Sequence, residues 1–283
     1  ELRRPPRSTR CPYAARFRSV RHLNHSSFGA CTNRILEQQT QLRQQMKYNT
    51  LRFFEQDLPD VLETAREALG LFLGAPASDL VFVDNATMGV TTVLSNLNLI
   101  AGDRVLITDH GYNACSNAAR FFAERTGAEV DLINLPFPGS DSNEVIERIL
   151  KGCTSRTRIL LIDHITSPTA LIMPLEDIVP AVQQRGIQVL VDGAHAPGML
   201  PLRLAELGAD YYTGNCHKWM CAPKGTAFLY VRSEHQSNLH PLTISHGMNR
   251  PVGESTRFRL EFDWRSEERR VGKECRSRWS PYH

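Results

Sequence analysis

Three residues late in the chain have types and an order that could do chemistry: Asp192, His195 and Lys218. Val189, Leu190 and Val191 form an apolar run of buried-strand type that stops at Asp192, so this carboxylate stands at the carboxyl end of a strand. Open α/β sheets bind ligands at that end. Lys218 comes just after another short strand, Asp210 to Thr213. An amine and a strand-end carboxylate in this order suit pyridoxal phosphate. The amine holds the cofactor covalently, and the carboxylate keeps the ring nitrogen protonated so that the ring draws electrons. Singly, each residue has a plainer use, since a strand-end Asp caps turns and a lone Lys is mostly a solvated charge. The combination points to catalysis.

The elements that must position these groups begin at Leu80. Apolar runs at 80–83, 103–107, 129–134, 157–162, 187–191, 210–213 and 225–231 predict seven strands, and helical segments at 87–98, 113–125, 141–151 and 175–185 separate the earlier ones. Strand–turn–helix alternation of this kind predicts an α/β fold, a mostly parallel sheet covered on both faces. Upstream, Asn33 to Lys47 and Asp60 to Leu73 read as helices, the second capped by Asp60, with a loop from Tyr48 to Pro59 between them.

Two strand ends supply further candidates. Asn85-Ala86-Thr87 follows the first strand and opens a helix, so its N–H groups and the positive helix end suit a phosphate, with Ala86 and Thr87 as the contacts. Ordinary capping is the plainer use. Asp109-His110-Gly111-Tyr112 follows the second strand and offers two flat side chains, His110 and Tyr112, either of which could stack on a pyridine ring.

At VDGAHAPG and TGNCHKW the sequence resembles the class V aminotransferase group of fold-type I pyridoxal-phosphate enzymes, and within it the isopenicillin N epimerase-like branch. The resemblance covers about Leu23 to Trp264. It implies a seven-stranded large domain, a full-length homodimer and an amino-acid-type substrate. DHGY matches the family's DHEY, which favours Tyr112 as the stacking residue. Ser167 and His195 match positions at the ring's phenolic oxygen, and Asn215 and His217 match phosphate-side positions. LNHSSFGA resembles the family opening LNHGSFGA and gives Asn24 and His25 a weaker, substrate-side expectation. The fate of the carbanion left by loss of the α-proton decides the reaction: an epimerase, a carbon–sulfur lyase of desulfurase type, or an aminotransferase. The rival from outside catalysis is a domain that binds a phosphorylated ligand, with Lys218 pairing the phosphate.

Composition narrows the classes. At 283 residues and 41% hydrophobic content the chain can bury one large core. No apolar run approaches the roughly 20 residues of a membrane span. Seven cysteines at irregular spacing fit a reduced, cytoplasmic protein and make no zinc motif. The net charge of +3 sits at the ends: Glu1 to Arg21 is arginine-rich, and without Arg265 to His283 basic and acidic residues are equal in number. The body therefore makes no electrostatic case for nucleic acid. The expected organisation is a basic extension over 1–20, organellar targeting being its alternative use, an N-terminal segment over 21–60, the cofactor domain over 61–240 and the start of a C-terminal part over 241–264. From Arg265 to His283 the sequence resembles one reading frame of a short-read sequencing adapter, whereas the family continues past Trp264 with Thr-Gly-Thr and a further domain. The expectation is an incomplete chain without activity of its own.

Overall fold

A computed structural model describes residues 16–17, 20–21, 23–137, 141–253 and 255–265. The expected extension over 1–20 and the tail over 265–283 thus lie almost wholly outside the described residues. Seven strands form one sheet: β1 Leu80–Val83, β2 Arg104–Thr108, β3 Glu129–Ile133, β4 Thr157–Asp163, β5 Gln188–Asp192, β6 Tyr211–Asn215 and β7 Ala227–Val231, in the order β1-β7-β6-β5-β4-β2-β3. The five strands from β3 across to β6 pair in parallel, and β7 runs antiparallel to both β6 and β1. The mostly parallel α/β sheet read from the sequence is borne out.

The sheet is parallel and covered on both faces because its strands are apolar on both. Along β4, Leu160 and Ile162 join the core beneath one face, while Ile159 and Leu161 join the core beneath the other. Helices α3 (Ala86–Asn96) and α4 (Asn113–Thr126) close the second face with Val90, Val93, Cys115 and Ala119. Helices α5 (Ser142–Gly152) and α6 (Leu175–Gln183) close the first with Val145, Ile149, Ile178 and Val182. Burying a single such side chain contributes about 1.5–3 kcal/mol, which is why continuous apolar runs stay central.

The N-terminal helices α1 (Asn33–Tyr48) and α2 (Leu58–Leu73) follow the sequence reading, but the expected loop between them does not. Thr50–Arg52 is helical and Phe53–Asp57 is a π-helical turn. Pro59 falls in the first turn of α2, where its missing N–H costs nothing, so it starts the helix rather than breaking a preceding one. Phe53 and Leu58, each 1% exposed, anchor the segment. Asp60 accordingly lies inside the first turn and is not the cap.

Gly89 decides how closely α3 lies on the sheet. A Cβ there would sit 2.1 Å from the Thr213 hydroxyl of β6, which is itself fixed by donation to the Phe228 carbonyl at 2.8 Å. Gly89→Ala is expected to lower stability by about 1–3 kcal/mol through overpacking. A urea melt with an unchanged midpoint would refute that packing.

Candidate active site

The carboxyl ends of the parallel strands gather the titratable groups. Asp192 ends β5 and Asp163 ends β4, directly beside it in register. Both are buried. Asp192 Oδ1 accepts from the Ala194 N–H at 3.0 Å, and its Oδ2 accepts from the Cys115 thiol of α4 at 3.1 Å. Burial raises the Asp192 pKa, with Cys115, the Ala194 N–H and Lys218 opposing. Burial and then the Asp192 charge also push the Asp163 pKa up, against the backbone N–H groups of Ser167 and Tyr112. Cys115 is driven far up by its burial and by Asp192, so it stays a neutral thiol.

Lys218 enters from the turn after β6. Its Nζ lies 3.1 Å from His195 Nε2 and 6.0 Å from the centroid of the Tyr112 ring. Burial lowers its pKa, while Asp192, Asp163 and Cys115 pull the other way. His195 is lowered to about 4, first by burial and then by the lysine charge, so it is neutral at pH 7 and accepts from the amine. The unfolded imidazole, near 6.5, protonates before the folded one, so stability is lost as pH falls from 6.5 towards 4. His195→Gln is expected to flatten that part of the stability curve. Urea midpoints at pH 5 and pH 7 that differ as much in the variant as in the wild type would refute it.

The lysine turn is seated by the N-terminal segment. A Cβ on Gly29 would fall 2.2 Å from the Lys218 carbonyl oxygen, so only glycine lets this strand of chain pass there. Lys224 Nζ donates to the Gly29 carbonyl. His25 is buried, accepts from the Ala30 N–H at 3.1 Å and packs its ring 5.5 Å from that of Trp219. Asn24 accepts from the Ser26 N–H and hydroxyl, a capping turn.

Among the phosphate candidates, Asn85 caps α3 by accepting from Met88 N at 2.8 Å. The Ala86 N–H donates to Asn215 Oδ1 at 2.9 Å, so these two expected residues bind each other across β6 and α3. Thr87 turns its hydroxyl towards Cys115. His217 donates from Nδ1 to the Thr226 carbonyl at 3.0 Å, and burial lowers its pKa. His110 and Tyr112 part company. The His110 Nε2–H donates to the Leu135 carbonyl at 3.2 Å and Nδ1 accepts from the Thr169 hydroxyl at 2.8 Å, so both ring nitrogens serve the loop rather than Lys218. Tyr112 is exposed and turns its ring towards the amine. Ser167 is exposed and lines, with Tyr112, a cavity of about 450 Å³.

The family profile described as aminotransferase class V matches residues 32–268. The chain belongs to the class-V aminotransferase family. That family is pyridoxal-phosphate dependent, as the motifs around Asp192 and Lys218 implied. Among its relatives, the isopenicillin N epimerase of Amycolatopsis lactamdurans is 35% identical over 84% of this chain and 60% of its own length. The probable chloroplastic L-cysteine desulfhydrase of Arabidopsis thaliana is 31% identical over 79% of this chain and 51% of its own. The chain thus spans 51–60% of the length of these relatives. The fold matches the cystine C–S lyase C-DES in complex with cysteine persulfide, at a TM-score of 0.78 and 22% identity over 86% of this chain and 66% of that one. A C-DES variant with glycine covalently linked to its PLP cofactor matches at a TM-score of 0.74 and 23% identity, over 79% of this class-V chain and 60% of that one. The expected fold-type I architecture is therefore borne out. No helix among the described residues is long and apolar enough to cross a membrane.

Two residues of the site, Asp163 and Cys115, escaped the sequence reading. Asp163 had a usable signal, because it ends an apolar strand just as Asp192 does. Cys115 had none, since a helix cysteine reads as a small packing residue.

Proposed function

We propose that this chain is the cofactor-binding large domain of an enzyme that acts at the α-carbon of an amino acid or amino-acid-derived substrate, of the isopenicillin N epimerase type. The observation that carries the reading is Lys218 Nζ against His195 Nε2 at 3.1 Å, beside the Tyr112 ring and in the field of two buried carboxylates. The residues fit pyridoxal phosphate. Asp192 is 2% exposed, yet among the described residues its carboxylate accepts only from a weak thiol donor and one peptide N–H, which leaves capacity for a protonated ring nitrogen. When bound, the cofactor supplies an electron sink for the charge left on the α-carbon.

The chain's own residues do the rest. Lys218 anchors the cofactor, and its Nζ takes and returns the α-proton. Its lowered pKa brings more of the neutral amine towards working pH. Neutral His195 orients that amine. Asp192 holds the proton at the ring nitrogen, Tyr112 offers the flat face, and Ser167 stands for the phenolic oxygen. Ala86, Thr87, Asn215 and His217 would hold the phosphate end. Treating the purified chain with pyridoxal phosphate should give a visible absorbance that borohydride bleaches, with the added mass on the Lys218 peptide. Mass on any other lysine alone would overturn the reading.

A second reading, a carbon–sulfur lyase, is supported by the desulfhydrase relatives and by the hercynylcysteine sulfoxide lyase of Schizosaccharomyces pombe, 27% identical over 80% of this chain. In a form extended to the relatives' length, deuterium exchange at the substrate α-carbon without pyruvate or sulfide supports epimerisation, and stoichiometric pyruvate supports the lyase. That longer form is proposed to be a homodimer, which the solvent-facing apolar side chains of Tyr48, Leu51 and Leu71 support, and cytoplasmic, which the free cysteines support.

A further inference from the structure

The turn that carries Lys218 from β6 to β7 is strained. Cys221 takes a left-handed φ of 58°, a region that side chains rarely adopt. The indole Nε1–H of Trp219 is buried with no hydrogen-bond partner among the described residues. Such a conformation persists only where its surroundings hold it. The turn's own bonds close its base: the Cys216 and His217 N–H groups both donate to the Thr226 carbonyl, at 3.1 and 3.2 Å, and the Ala222 N–H donates to the Cys216 carbonyl at 3.0 Å. They do not reach the His217 carbonyl, just before the lysine. That carbonyl meets the N-terminal segment. A Cβ on Gly29 would fall 2.3 Å from its oxygen and 2.7 Å from the Lys218 Cα, so two backbones touch here with no side chain between them. Lys224 fastens the contact. Its Nζ donates to the Gly29 carbonyl and to the His217 carbonyl at 3.4 Å, and no other donor among the described residues reaches either oxygen. Two carbonyls brought this close repel one another unless a cation bridges them. His25, from the same segment, packs its ring on that of Trp219, the residue after the lysine.

We propose that Lys224 is a positioning residue for Lys218: its ammonium bridges the Gly29 and His217 carbonyls, ties residues 24–30 down on the lysine turn, and so keeps the Lys218 amine at His195. The proposal rests on the reading of Lys218 as the cofactor's anchor, and it gives that site a second lysine with a different task. Lys224 acts through the backbone. A compact ammonium with three donors suits two carbonyls at once.

The test compares Lys224→Met, which keeps an unbranched side chain and removes its charge, with Lys224→Arg, which keeps the charge and the donors. Lys224 is exposed, so both variants should fold, and a urea melt would show it. In the unloaded full chain, amide hydrogen exchange should rise in Lys224→Met at residues 24–30 and 216–221 together, while β4 and β5 exchange as in the wild type. Titration with pyridoxal phosphate, followed by visible absorbance and by borohydride trapping on Lys218, should show about tenfold weaker binding in Lys224→Met. Lys224→Arg should recover most of that loss. Wild-type exchange in either segment of Lys224→Met, or wild-type affinity for the cofactor, overturns the proposal, since a bond that served only the local fold would leave Lys218 unaffected. An equal loss in Lys224→Arg overturns it too, because charge and donors would then not be what holds the turn. The two readings fail differently: if the wild type traps no adduct on Lys218, the cofactor reading falls, and exchange in the unloaded chain still decides whether Lys224 ties the two segments together.

Discussion

Lys218→Ala is expected to abolish borohydride-trappable cofactor and to slow α-proton exchange by at least about a thousandfold in a form extended to the relatives' length. The size reflects a double loss, because the covalent anchor and the general base are the same amine, and a base alone contributes roughly 10²–10⁴ in rate. The fold should survive. Burial already lowers the Lys218 pKa, which means the folded protein carries that charge at a cost which alanine removes. Far-ultraviolet circular dichroism and a urea melt would show the variant folded, so that loss of the adduct is read as chemistry. A reducible adduct that persists in the variant would remove Lys218 from the centre of the reading.

Asp192→Asn is expected to separate binding from chemistry. Cofactor should still be trapped on Lys218, while α-proton exchange falls by about 10²–10⁴, because a neutral amide cannot hold the proton on the ring nitrogen. The substitution is nearly isosteric, and Asn keeps the Oδ1 that accepts from Ala194 N. Stability should be unchanged or should rise at neutral pH. The sign is fixed by the raised pKa: the folded state binds the proton more tightly than the unfolded one, so the wild type loses stability as pH climbs from 3.8 through the folded value, and the amide does not. Exchange at the wild-type rate in Asp192→Asn would mean that the buried carboxylate serves the fold and not the cofactor.

The sheet and the main actors were legible from the order of residues alone, for a physical reason. A strand buried on both faces must be apolar at every position, so β4 and β5 stand out as unbroken runs, and the first carboxylate after such a run marks the ligand edge. The order of Asp192, His195 and Lys218 could therefore be read, as could α3 opening at Ala86. Pairing could not, because a hydrophobic run says that a strand is buried without saying what lies beside it. Only the parallel register of β4 on β5 sets Asp163 beside Asp192. Only the packing of α4 brings the Cys115 thiol to the Asp192 carboxylate, 77 residues away in sequence. The same holds for the Ala86–Asn215 bond, for Gly29 beneath the lysine turn, and for the helical path from Thr50 to Asp57, where Phe53 and Leu58 are buried although the sequence reads as a loop. His110 and Tyr112 are both flat side chains at one strand end, with Tyr112 favoured by the family resemblance, and they part through the hydrogen bonds of His110 with Leu135 and Thr169, partners that no local pattern announces.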